Sequence, residues 1–155
     1  MSERKILFPT DFSHTGDSAL ELATTLARER GAKLLIVHVE EPPAAYGAGE
    51  MYYGMPDPVT DDLRKMLEQV APPDPQVPCE RRLITGDPAT AIASLAQDEG
   101  VELIVMGTHG RTGLMRLLMG SVAEAVVRRA PCPVLTLRQP SAPESAPTPM
   151  QPGEA

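Results

Sequence analysis

The feature that most constrains this chain is a rhythm. Apolar runs of five to nine residues alternate with longer amphipathic segments as far as position 138. "KILFP" (5–9), "AKLLIVHVE" (32–40), "CERRLIT" (79–85), "VELIVMG" (101–107) and "CPVLTLR" (132–138) read as strands. The first intervening segment carries apolar positions Ala19, Leu20, Leu22, Ala23, Leu26 and Ala27 at helical spacing and stops at Gly31. The second is predicted to start at Asp57 as N-cap with Pro58 behind it, and its stripe Val59, Leu63, Met66, Leu67, Val70 assigns Met66 to the core. The third repeats that opening with Asp87 and Pro88 and turns Ala91, Ile92, Leu95 and Ala96 inward. The fourth spans 121–130. Strand–helix–strand repeated in this way requires parallel strands joined by right-handed crossovers, with helices on both faces: an open, Rossmann-like α/β sheet. The 79–85 strand is the less apolar one and belongs nearer an edge.

Composition narrows the function classes. The 155 residues suit one domain, and with 3% aromatics and no tryptophan the core must be Leu, Val, Ile, Ala and Met. A net charge of −7 and the scarcity of aromatics argue against nucleic acid as a partner. Cys79 and Cys132 lie 53 positions apart with no clustered histidine, which suggests neither a zinc site nor a disulfide framework but two reduced thiols in or near the core. The start "MSERKILFPTDF" lacks an apolar leader and no run approaches a membrane span, so a cytoplasmic protein is expected. Residues 42–56 read as a long surface loop. Residues 139–155, with five prolines in seventeen positions, are expected to form a disordered tail beyond a domain spanning 1–138.

In an open parallel sheet, ligands bind beyond the carboxyl ends of the strands, where strand order reverses. Two segments leave such ends with unusual chemistry: "PTDFS" after the first strand and "GTHGRTGLMRLLMGS" after the fourth. The second spends glycines at 107, 110, 113 and 120. It runs into Ser121-x-x-Glu124, the spacing of a capping box. A helix starting there aims free N–H groups and its positive dipole end at the loop, which suits a phosphate, with Arg111, Arg116 and His109 able to add donors or charge. The plainer alternative is that Ser121 only caps the helix and the glycines only permit positive φ. A Walker loop is excluded because Val122, not a lysine, follows Gly120-Ser121. The dinucleotide fingerprint is excluded because "TDFSHTGDS" offers only Gly16. A receiver domain would need a phosphoacceptor aspartate after the third strand, where Asp87 already serves as an N-cap.

The spacing Gly107-x2-Gly110-x9-Gly120-Ser121 resembles the ATP-binding loop of the universal stress protein family. The likeness runs from "KILFPTDFS" through "GDPATAI" and "LIVMGTHGRTG" to "GSVAEAVVRRAPCPVL". It implies a five-stranded parallel sheet of order 3-2-1-4-5, which would make the first and fourth strands neighbours. It also implies that Asp11 faces the adenosine end of ATP, that Val39 offers backbone groups to the adenine edge, and that Met106 and Gly107 line the ribose and phosphate side. His109, Gly110, Gly120, Ser121 and Val122 would hold the phosphates, with a divalent cation (magnesium or manganese) bridging them. The final strand, 133–138, would pair with its counterpart in a homodimer; no protein partner is specified.

From the residues alone, the alternatives are that Asp11 is a turn or helix-entry residue and that His109 is an exposed loop histidine or a general base. His38, within a strand, reads as a packed or hydrogen-bonded sheet residue, and His14 as a solvent-facing one. The reading that results is an ATP-binding stress-response module in which nucleotide orders the 107–121 and 42–56 loops and so changes a partner surface. No catalytic residue is assigned. A slow ATPase or phosphotransferase, with Asp11 or His109 as base, and a nucleotide-independent interaction protein are the alternatives.

Overall fold

The computed structural model describes residues 3–13, 16–42, 58–108 and 120–138. The elements follow the alternation: β1 (Lys5–Pro9), α1 (Asp17–Arg30), β2 (Lys33–Glu40), α2 (Pro58–Gln69), β3 (Cys79–Thr85), α3 (Pro88–Asp98), β4 (Leu103–Gly107), α4 (Ser121–Arg129) and β5 (Val134–Leu137). All strand pairs are parallel and the order is β3-β2-β1-β4-β5. The order reverses between β1 and β4, which pair at Ile6↔Leu103 and Leu7↔Ile104. Segments 43–56 and 139–155, with Asp57 and His14, lie outside the described residues.

Because side chains alternate along a strand and both faces are covered, the central strands are apolar throughout. One face sends Leu7, Leu35, Val37, Ile104 and Met106 into a cluster with Ile92, Leu95, Ala96, Ala123 and Val126 of α3 and α4. The other sends Ile6, Phe8, Leu34, Ile36 and Val105 against Ala19, Ala23 and Ala27 of α1 and Leu67 of α2. Burying each of the larger side chains contributes roughly 1.5–3 kcal/mol. The i, i+4, i+8 alanines leave α1 a narrow inward face, and its leucines Leu20, Leu22 and Leu26 sit half-buried beside it. Thr24 is buried among them, its hydroxyl donating to the Leu20 carbonyl at 2.7 Å. The helix ends as its sequence indicates: Gly31 adopts φ 62°, and the Ala32 N–H closes on the Ala27 carbonyl at 2.8 Å.

Three expectations are corrected. On α2 only Leu67 is fully buried, whereas Met66 is 44% and Val59 57% exposed. That helix flanks the β2–β3 margin of the sheet, and its apolar stripe is wider than this margin can cover. On α3 the fully buried small residue of the first turn is Ala89, with Ala91 half-buried. On α4 the capping box is not formed: Gly120 is the N-cap, Ser121 the first helical residue, and no side chain caps the end. The Gly120 N–H donates to the Thr108 carbonyl at 2.5 Å, which holds residue 120 against the end of β4 and starts the helix one position later. Glu124 instead accepts from Arg128 at 2.7 Å, one turn on.

Both cysteines are free and half-buried against the core clusters. Burial pushes the Cys132 thiol above its ordinary pKa. As read from its composition, β3 is an edge strand. No helix among the described residues is long and apolar enough to cross a membrane.

Candidate functional site at the carboxyl ends of the strands

Three strand ends meet beyond the reversal. At the first, Thr10 prolongs the β1–β2 pairing by one bond, its N–H donating to the Val37 carbonyl at 2.8 Å. The chain then turns sharply. The Phe12 N–H donates to Thr10 Oγ1 at 3.0 Å, and Asp11 Oδ1 accepts from the Ser13 N–H at 2.9 Å and from the Ser13 hydroxyl. The two bonds from backbone N–H groups are of the ST- and Asx-turn type, and the Ser13 hydroxyl adds a side-chain bond. Phe12 sits at φ 66°, the single positive-φ non-glycine among the described residues, at a cost of about 1–2 kcal/mol. Its ring lies over His38, with centroids 4.3 Å apart. His38 is buried, and its Nδ1 is 2.7 Å from the Thr10 carbonyl, so that nitrogen carries the hydrogen and donates.

At the second, pairing of β2 with β1 ends at Pro9↔Val37. The bonds Lys33 N–H to Arg4 O and Thr10 N–H to Val37 O put the odd-numbered backbone groups of β2 on the β1 side. Val39 therefore points its N–H and C=O beyond the end of β1, and among the described residues no hydrogen bond joins them to Thr10. Its side chain is half-buried against the α3/α4-side cluster that also holds Met106.

At the third, Met106 is buried, so any ligand there meets its backbone rather than its side chain. Gly107 pairs with Leu137, and the Thr108 N–H extends that pairing to the Leu137 carbonyl at 3.0 Å. Thr108 also receives the Gly120 N–H, so the two described residues that flank segment 109–119 are joined by a hydrogen bond. His109 and Gly110 fall in that segment and lie outside the described residues.

The N-terminus of α4 opens here. Gly120 has φ −59° and ψ 153°, an extended conformation open to any residue. Positive φ among the described glycines occurs at Gly31, Gly86 and Gly100, and neither Gly107 nor Gly120 uses it. The turn-forming explanation therefore fails for both. The first intrahelical bond runs from the Glu124 N–H to the Gly120 carbonyl, and the N–H groups of Ser121 and Val122 meet no acceptor among the described residues. An open groove of about 440 Å³ beside them is lined by Glu41, Pro42, Gly86, Asp87, Pro88, Ser121 and Val122.

Asp87 caps α3 as its position predicts, accepting from the Thr90 N–H at 3.1 Å and the Thr90 hydroxyl at 2.9 Å. These bonds, with Arg129 nearby, hold its carboxyl below the ordinary aspartate pKa. Among the described residues no three His, Cys, Asp or Glu side chains gather to hold a metal.

The structure thus brings Asp11, Val39, Met106, Gly107, Gly120, Ser121 and Val122 to one end of the sheet, on four different elements and turns. Sequence reasoning pointed to the segments that hold Thr10, Phe12, Ser13 and Thr108 but assigned these residues no part in shaping the site. The Asx signal in Asp11-x-Ser13 was readable; the partnership of Thr108 with Gly120 was not.

A doubly wound parallel domain with one crevice at its reversal point is the class of protein defined by this fold. Comparison with known proteins narrows it. The universal stress protein family profile matches residues 3–138, and the chain belongs to that family. It is 33% identical over 142 residues to universal stress protein MJ0531 of Methanocaldococcus jannaschii, covering 88% of this chain and 83% of that one. A universal stress protein of Thermus aquaticus is 36% identical over 142 residues, 87% of this chain and 98% of its own length. Among solved structures, protein MJ0577 of Methanocaldococcus jannaschii superposes with a TM-score of 0.75 at 27% identity, over 92% of this chain and all 100% of that one. A universal stress protein solved in complex with cAMP gives 0.62 at 25% identity, over 90% and 100% of the two chains.

Proposed function

We propose that this chain binds ATP at the carboxyl ends of its strands and acts as a nucleotide-responsive regulatory or protective module in the stress response. The observation that carries the reading is Gly120. It occupies backbone space any residue could take, at the start of α4, so its conformation does not require glycine, and the missing Cβ leaves room for a ligand to approach the helix end closely. Bare N–H groups and the positive helix end then favour a phosphate. The cAMP complex of a relative supports an adenine nucleotide as the class of ligand.

In this reading Asp11 meets the adenosine end and the open Val39 backbone the adenine edge. Met106 and Gly107 contribute backbone toward the ribose, while His109, Gly110, Gly120, Ser121 and Val122 hold the phosphates. With no set of three protein ligands among the described residues, a bridging divalent cation would be held chiefly by the phosphates. The carboxylates of Glu41 and Asp87 on the groove wall give such a cation a further role, offsetting their repulsion of a polyphosphate.

We also propose that β5 pairs two copies of the chain, working in the cytoplasm. Bonds from Ile104 N–H to Pro133 O and from Thr108 N–H to Leu137 O place the odd residues of β5 against β4. Val134 and Thr136 then turn their N–H and C=O groups to the open edge, with Leu135 and Val127 exposed nearby.

The test is ATP titration of wild type and Gly120→Val, with mass spectrometry of any small molecule that co-purifies. ATP bound by wild type and lost in the variant supports the reading. Equal binding, or none by wild type, sinks it.

A further inference from the structure

We propose that His38 is a positioning residue for the nucleotide site: it takes over the Thr10 carbonyl, ends the β1–β2 ladder there, and so sets both Asp11 and the open Val39 backbone. This rests on the reading that the adenosine end lies at Asp11 and Val39.

Continued for one more step, the ladder would carry a bond from the Val39 N–H to the Thr10 carbonyl, in register with Thr10 N–H to Val37 O. That bond is not formed. The Thr10 carbonyl receives His38 Nδ1 at 2.7 Å, a side-chain donor from the neighbouring residue of the same strand. The substitution keeps the carbonyl satisfied while the Val39 backbone stays available. The His38 ring also packs against the Phe12 ring, with centroids 4.3 Å apart and planes tilted by 38°. Phe12 is the residue held at φ 66°, and it stands between Asp11 and Ser13, whose mutual hydrogen bonds fix the carboxylate. An unfavourable backbone conformation persists only where its surroundings over-determine it, and here these are the ring contact and the Thr10 Oγ1 bond. One buried imidazole thus connects the two strand ends that would read the adenosine.

The test compares wild type, His38→Phe, which keeps a ring and loses the donor, and His38→Asn, whose amide can replace Nδ1–H. Phe12→Gly is the companion variant, since glycine takes φ 66° without strain but removes the ring. Binding of ATP, AMP and inorganic tripolyphosphate is measured for each by calorimetry. His38→Phe is expected to weaken ATP and AMP by the same factor, roughly tenfold, the scale of one hydrogen bond. Tripolyphosphate binding should be unchanged and His38→Asn should recover most of the loss. Phe12→Gly should follow the same pattern, and in an Asp11→Ala background the His38→Phe loss should largely disappear. Equal weakening of tripolyphosphate, losses additive with Asp11→Ala, or unaltered AMP binding in both His38→Phe and Phe12→Gly overturns the positioning role alone. Failure of wild type to bind ATP or AMP overturns the nucleotide reading and the positioning role together.

Discussion

Gly120→Ala separates what the fold needs from what a ligand needs. At φ −59° and ψ 153° the residue tolerates a Cβ without backbone strain, and alanine keeps the N–H that bonds Thr108. Alanine is a poorer N-cap than glycine by about 0.5–1 kcal/mol. Against this, replacing glycine narrows the unfolded ensemble and stabilises by about 0.4–1 kcal/mol. The two effects nearly cancel, so the melting temperature without ligand should move by no more than about 2 °C for a chain of this size. Phosphate binding is affected quite differently. Each N–H to phosphate bond that the new methyl group displaces costs about 1.5–3 kcal/mol, so ATP affinity should fall at least about tenfold. Thermal melting of the free protein and calorimetric titration with ATP measure the two quantities side by side. Unchanged affinity would refute the close-approach argument. A large drop in melting temperature would refute the claim that the glycine is structurally dispensable.

Other outcomes follow from single contacts. Asp87→Ala should lower the melting temperature at pH 7 by removing the α3 cap and the Arg129 partner. Because the folded-state pKa of Asp87 is depressed below 3.8, that difference is full above 3.8 and should close as pH falls through the lowered value. A gap that stays constant down to about pH 2 would contradict this assignment. On α2, Leu67→Ala should cost about 2–4 kcal/mol in urea unfolding, while the neighbouring Met66→Lys should stay within about 0.5 kcal/mol. Reversal of that ranking would mean that the exposed face of α2 is covered in solution. Thr136→Pro removes an outward N–H of β5 without touching its bonds to β4, and should convert a dimer to a monomer in sedimentation. A variant that remains dimeric, or a monomeric wild type, rules out pairing through this edge.

The architecture was legible because its determinants are local. The alternation fixed nine elements, Asp87-Pro88 announced a helix start, Gly31 announced a helix end, and the polar character of 79–85 placed it at a margin. Strand order was not contained in the alternation and came from family resemblance. The failures share a cause of another kind. A helical stripe says which residues share a face, not how much of that face a neighbour covers, so Met66 was assigned to a core that ends at Leu67. The Ser121-x-x-Glu124 spacing is a sound cap signal, but where a helix starts depends on what holds the preceding residue. Here that is a carbonyl on Thr108, twelve positions earlier. The Phe12 backbone conformation likewise depends on a ring from β2. The candidate site was proposed from the glycine stretch and the segment after the first strand, with Val39 and the role of Asp11 supplied by family resemblance, whereas the groups that shape those ends became visible only in three dimensions.

The bond between Thr108 and Gly120 has an evolutionary consequence. It closes segment 109–119 at its base, with β4 and β5 paired below and α4 rooted above. With both flanking residues held in this way, a change in the length of the intervening sequence need not alter the strand pairing, and doubling that length adds only about 0.6 kcal/mol of closure cost. The sheet is thus a fixed socket and the glycine segment a replaceable cartridge. Descendants of this chain could exchange one ligand for another, or give up ligands entirely, while inheriting an unaltered scaffold.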